Sequence, residues 1–264
     1  MERPAWLGRA IGAGIGLFLL HSPFLALIGF GIGWFADQAS ALRRTMGPGL
    51  DAARNAFFET TFTLMGRIAK SDGRVSEQEI AVTEQLMARM GLSAAHRQEA
   101  IALFKRGAAD DFALDAQLDA FVAHCGAHLN LRHMLLMFLF STAAADGALD
   151  AAERALLERI AVRIGFSQAA FEQLLGMFSA QDAFSRAPGA PSRAQGLAEA
   201  YAALGVTEND DDRAVKQAYR RLMSQYHPDK LIAEGMPEDM VRMATERTQE
   251  IQNAWELVRK SRGL

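Results

Sequence analysis

Residues 213–230 read RAVKQAYRRLMSQYHPDK. Val215, Ala218, Tyr219 and Leu222 recur at intervals of three and four, which places them on one face of a helix. Arg213, Lys216, Gln217, Arg220 and Arg221 take the outward side. Asn209 and Asp210 to Asp212 come just before, residue types that cap a helix start and complement its positive end. Pro228 has no N–H to continue the helix and restricts the residue before it, so the helix is expected to stop at a rigid turn, His227-Pro228-Asp229-Lys230.

The neighbouring segments build a small helical unit around this helix, residues 197–264. Leu197 to Leu204 reads as a short helix stopped by Gly205, and a last long helix is expected from about Pro237 to Arg259, carrying Ala244, Ile251, Ala254, Trp255 and Val258. Upstream, Ala183 to Gly196 contains Pro188, Gly189, Pro191 and Ser192 and reads as a flexible linker, residues 183–196.

Residues 55–182 read as all helix, proline-free, with Phe58, Phe62, Met65 and Ile68 at helical spacing. Two segments resemble each other, Ala69–Ser93 and Ala143–Ser167. Asp72-Gly73 matches Asp146-Gly147, Glu79 matches Glu153, and Gly91-Leu92-Ser93 matches Gly165-Phe166-Ser167. Asp-Gly suits a tight turn, because glycine accepts positive φ. Ser76 with Glu79, and Asp150 with Glu153, have capping-box spacing, and Gly91 and Gly165 are C-terminal stops. Each unit is a helix, a tight turn and a second helix.

Asp72, Glu79, Asp146 and Glu153 admit two readings. They are caps and turn residues, or a pseudo-symmetric carboxylate site for Mg²⁺ or Ca²⁺. The loop is too short for an EF-hand. His124, Cys125, His128 and His133 form a second cluster, with His124 and His128 spaced to share a helix face. No neighbouring acidic or cysteine ligand completes a zinc set, so polar positions on a packed helix is the simpler reading.

The N-terminus is of another kind. From Ala10 to Ala36 the chain has no Asp, Glu, Lys or Arg. About 20 apolar residues cross a bilayer core of about 30 Å, so residues 10–36 read as an uncleaved transmembrane anchor after a short tail, residues 1–9. Pro23 favours a kink, and Trp6 and Trp34 lie where interfacial tryptophans do. Gly8, Gly12 and Gly16 fall at four-residue spacing, a face through which two such helices can pair into a homodimer. Residues 37–54 form a juxtamembrane segment. The arginine balance leans weakly toward a cytoplasmic C-terminal side.

The chain has 264 residues, a formal net charge of −3 and one cysteine. That length supports a sizeable core or two small domains, the charge gives no reason to expect a nucleic-acid partner, and one cysteine excludes an internal disulfide. The expected fold class is all-α. No serine, cysteine or glycine-rich phosphate loop accompanies His227 and Asp229 in a catalytic motif, so no enzyme site is expected.

Two resemblances follow from these motifs. The duplicated D-G-x-x-[SD]-x-x-E pattern resembles the TerB-like helical domain, over roughly Phe57 to Phe178, a family whose acidic turn residues are suspected metal ligands. Ala200-Tyr201, Leu204-Gly205-Val206, Val215 to Leu222 and His-Pro-Asp-Lys resemble a J domain. Trp255 and Val258 stand where that family has Tyr and Leu, and keep an apolar side chain for the core. The order of anchor, TerB-like domain, linker and J domain resembles the DjlA subtype of membrane-anchored DnaJ-like co-chaperones.

The resemblance implies a co-chaperone that docks a DnaK-type chaperone in its ATP state and stimulates hydrolysis, in envelope-stress signalling or quality control. His227, Pro228 and Asp229 would make the decisive contact, with Lys230 beside them and Arg213, Lys216, Arg220 and Arg221 steering an acidic partner surface. A DnaK-type partner needs ATP, which implies the inner membrane, with a periplasmic N-terminus and cytoplasmic domains. The alternative is a membrane stress-sensing scaffold with a metal-binding TerB-like domain.

Overall fold

Among the described residues every regular element is a helix, in the all-α class expected. The computed structural model describes residues 49–71, 77–144, 149–186 and 193–264. Ala10 to Ala36, Gly8, Gly12, Gly16, Asp72, Asp146 and the Glu79 side chain lie outside the described residues. No helix among the described residues is long and apolar enough to cross a membrane. The chain divides into residues 1–52, of which 49–52 are described and helical, and residues 53–264.

In the second unit the first seven helices are α1 (helical to residue 69), α2 Glu77–Met90, α3 Ala94–Gly107, α4 Leu114–Cys125, α5 Leu129–Ala143, α6 Ala151–Arg163 and α7 Gln168–Arg186. Two of them are central. In α5 the run Met134 to Phe140 is buried without a break, as for a helix packed on all sides. In α1 Phe57, Phe62, Leu64 and Met65 are fully buried, together with Thr60, Thr61 and Thr63. Buried hydroxyls need partners. Thr61 donates to the Phe57 carbonyl at 2.7 Å, Thr63 to that of Glu59 at 2.8 Å, and Thr60 accepts from Gln117 Nε2 at 2.9 Å.

Local signals close the outer helices. Asp150 caps α6 by accepting from the Glu153 N–H at 2.7 Å, while Glu153 accepts from the Asp150 N–H at 3.0 Å, a complete capping box. Gly91 and Gly165 take φ of 86° and 97° just beyond α2 and α6, the left-handed turn that ends a helix.

The remaining helices are α8 Arg193–Ala203, α9 Asp212–Gln225, α10 Pro228–Glu234 and α11 Val241–Arg262, with a 3₁₀ turn over Glu238–Met240. Asp212 lies beside Arg262, Tyr219 beside Trp255 and Tyr226 beside Arg247, so α9 and α11 run antiparallel. Val215 and Leu222 meet a core that includes Ala244, Ile251, Ala254 and Val258, and Ala218 is buried beside them on the same face. Trp255 is only half-buried, stacked on Tyr219 at 4.8 Å with 12° between the rings.

Several boundaries differ from the sequence expectation. Pro228 does stop α9, but it also opens α10 at its first position, where the missing N–H is no loss. The last helix begins at Val241 rather than Pro237, because Gly235, at φ 117°, ends α10 and Pro237 starts the 3₁₀ turn. Helix also extends into both ends of the stretch 183–196, to Arg186 and from Arg193.

The α8–α11 portion packs against the first seven helices. Arg89 pairs with Glu246 at 3.1 Å, Asn130 donates to Glu234 at 2.6 Å, and Asp239 bonds both the Ser93 N–H and His96.

Candidate functional site

The turn His227-Pro228-Asp229-Lys230 sits where α9 hands over to α10. Asp211 caps α9 by accepting from the Ala214 N–H at 2.6 Å, and the Tyr226 N–H closes its last turn on the Leu222 carbonyl at 3.0 Å. Tyr226 is buried, with the Arg247 guanidinium over its ring, and Leu231 is fully buried on the other side. These two anchors hold the four-residue turn at the surface.

His227 is extended at φ −63° and ψ 123°, and its carbonyl accepts from the N–H groups of Lys230 and Leu231, both at 3.1 Å. The His227 side chain makes no capping hydrogen bond to α10. His227, Asp229 and Lys230 are exposed and Pro228 is half-buried. Among the described residues neither His227 nor Asp229 has a side-chain partner, and Lys230 reaches only the Ser224 hydroxyl, at 3.3 Å.

Arg213, Lys216, Arg220 and Arg221 are all exposed on α9, and none has a carboxylate partner among the described residues. Several arginines elsewhere are engaged: Arg106 with Glu59, Arg159 with Asp115, Arg163 with Asp119 and Arg154 with Glu172. The structure therefore brings together an uncompensated cationic helix and an unspent imidazole and carboxylate at its end.

Arg262 holds this helix in place and carries no sequence signal of its own, since its partners are far away along the chain. It donates to the Tyr201 hydroxyl at 2.7 Å, to the carbonyls of Asp210 at 2.7 Å and Glu208 at 2.8 Å, and to Asp212 at 2.9 Å. In the same loop Asp210 accepts from the Thr207 N–H and hydroxyl, which hold its carboxyl below the usual range.

Of the four candidate carboxylates only the Glu153 side chain lies among the described residues, where it takes part in the α6 capping box. The histidines and Cys125 are not gathered into a site. His124 and His128 do not share a helix: α4 ends at Cys125, and His128 is the N-cap of α5. Gly126 and the turn after it break the register that the four-residue spacing suggests. Cys125 is buried, its thiol pushed up to about 12 by burial. His133 donates to the Leu129 carbonyl at 2.8 Å, and burial lowers its pKa to about 4. No group of three metal-ligating residues occurs among the described residues.

Comparison with known proteins agrees with these two portions. The family model for tellurite resistance protein TerB matches residues 59–175, and that for the DnaJ domain matches residues 199–262. The co-chaperone protein DjlA of Escherichia coli K12 is 36% identical, over 97% of this chain and 98% of its own. That of Coxiella burnetii is 37% identical, over 98% and 99%, and that of Yersinia pseudotuberculosis 35%, over 97% and 98%. No solved structure matches significantly. The chain belongs to the DjlA co-chaperone family: it is a J-domain co-chaperone with a TerB-like domain.

Proposed function

We propose, proceeding from that membership, that the chain docks a DnaK-type chaperone in its ATP state and stimulates the chaperone's ATP hydrolysis. The observation that carries the reading is the unspent pair His227 and Asp229 at the end of an uncompensated basic helix. Asp229 offers a carboxylate on a rigid turn, suited to a charge-assisted pair with an arginine of the partner. Lys230, Arg213, Lys216, Arg220 and Arg221 steer an acidic surface toward it. The chain supplies contacts only; the bond that breaks belongs to ATP on the chaperone.

In this reading Ala10 to Ala36 anchors the protein in the bacterial inner membrane, Gly8, Gly12 and Gly16 pair two copies, and both folded domains face the cytoplasm, where ATP is. The setting is envelope-stress signalling or protein quality control. What supports the anchor is the uncharged length of residues 10–36.

The test is the steady-state ATPase rate of a DnaK-type chaperone with the detergent-solubilised full-length protein. Wild type should raise it. His227→Gln and Asp229→Asn should each abolish the increase while helical content stays unchanged. Variants that stimulate as well as wild type would refute the mechanism.

A further inference from the structure

A cleft of about 380 Å³ opens between the end of α9 and the TerB-like helices α5 and α7. The J-domain wall carries Arg221, Gln225 and Lys230, and the opposite wall carries His133 and Gln173. Leu174 and Met177 of α7 contribute apolar surface. No Asp or Glu lines it among the described residues.

The charge and hydrogen-bond state of this lining is one-sided. Arg221 has no carboxylate partner among the described residues, and Lys230 has only the Ser224 hydroxyl. Gln225, which also lines the cleft, has its Nε2 donor buried without an acceptor. The cleft is also continuous with the His-Pro-Asp turn, since Lys230 directly follows Asp229 and lines both.

We infer that this cleft receives a carboxylate-bearing segment of the same ATPase chaperone that the His-Pro-Asp turn engages, so that the TerB-like domain forms part of the docking surface. The inference rests on the function proposed above. It gives the middle domain a direct role: Gln173 and His133 shape the far wall of a site whose cations come from the J domain. A cationic cleft with apolar sides suits a short extended segment that carries an acidic side chain beside an apolar one.

Gln173 is exposed on α7, so its charge can be changed with little effect on the fold. The experiment titrates full-length, detergent-solubilised protein into a DnaK-type ATPase assay, with wild type, Gln173→Glu, Gln173→Lys and His227→Gln. Gln173→Glu should raise the concentration for half-maximal stimulation by about threefold or more, and added salt should shrink the difference. Gln173→Lys should lower that concentration or leave it unchanged. If both Gln173 variants titrate like wild type while His227→Gln is inactive, the cleft plays no part in docking and the J-domain mechanism stands. If wild type fails to stimulate, or His227→Gln stimulates fully, the underlying mechanism falls and this inference with it. An unchanged chaperone titration, with Gln173→Glu weakening binding to phosphatidylglycerol vesicles, would assign the cleft to a lipid headgroup and overturn the proposal.

Discussion

Arg262 donates to the hydroxyl of Tyr201 at 2.7 Å, which ties the last turn of α11 to α8. The same guanidinium binds two carbonyls and one carboxylate of residues 208–212 and so fixes the start of α9. Arg262→Ala should cost about 2 kcal/mol and speed amide exchange at Ala214 and Val215, with no change in α5. Arg262→Lys should recover little of this, because an ammonium cannot hold the fork of donors in one plane. Hydrogen exchange by mass spectrometry reads the difference. Exchange at α9 in Arg262→Ala equal to that of wild type would remove Arg262 as the positioning residue.

Glycine at two positions lets α1 and α3 touch backbone to backbone. A Cβ on Gly107 would lie 1.8 Å from the Thr63 carbonyl oxygen, and one on Gly66 would lie 2.0 Å from that of Phe104. Gly107→Ala should therefore push the helices apart and cost about 3 kcal/mol or more. Gly176 on α7 has nothing within 4 Å of the same position, so Gly176→Ala should be neutral or stabilise by up to about 1 kcal/mol. Thermal melts of the two variants should move in opposite directions.

Cys125 reports whether the TerB-like core is closed. Its Sγ–H donates to the Ala53 carbonyl at 3.4 Å, and burial raises its pKa to about 12, so almost no thiolate forms at neutral pH. Native protein should resist alkylation at pH 8, and denatured protein should take up one label. Rapid labelling under native conditions would mean that α4 opens readily.

The parts legible in the sequence were those set by local chemistry. Asp150 with Glu153, Gly91 and Gly165 act within one turn, and the stripe on α9 is written at helical spacing because its other face is solvent. The boundaries at Pro228 were not legible, since a proline that ends one helix opens another equally well and only Gly235 marks how short α10 is. His124 and His128 were misplaced for a similar reason: a four-residue interval says nothing when the helix ends between them. The centrality of α5 has no periodic signature, because a helix buried all round has no polar face. Arg262, and the cleft beside Lys230, depend on contacts between residues far apart in the chain. The residues of the His-Pro-Asp turn were found by their flanking pattern; that their side chains are left unspent emerged only from the geometry.

His133 should make stability depend on pH in a defined window. Burial is the main cause of its lowered pKa, about 4 against 6.5, and Arg132 and Arg221 add to it, opposed by the bond to the Leu129 carbonyl. Between pH 6.5 and 4 the unfolded chain holds a proton on this imidazole that the folded chain does not. Stability from this group is therefore full above about pH 6.5 and declines as pH falls toward 4, by at most about 3 kcal/mol. His133→Gln keeps a donor but cannot titrate. Urea unfolding at pH 7, 5.5 and 4.5 should show wild type losing stability faster than His133→Gln, since the carboxylates common to both cancel in the comparison. Imidazole shifts in the folded wild type should titrate with a midpoint near 4. Parallel stability curves and a midpoint near 6.5 would mean that water reaches the ring through the adjoining cleft and that its burial has no electrostatic consequence.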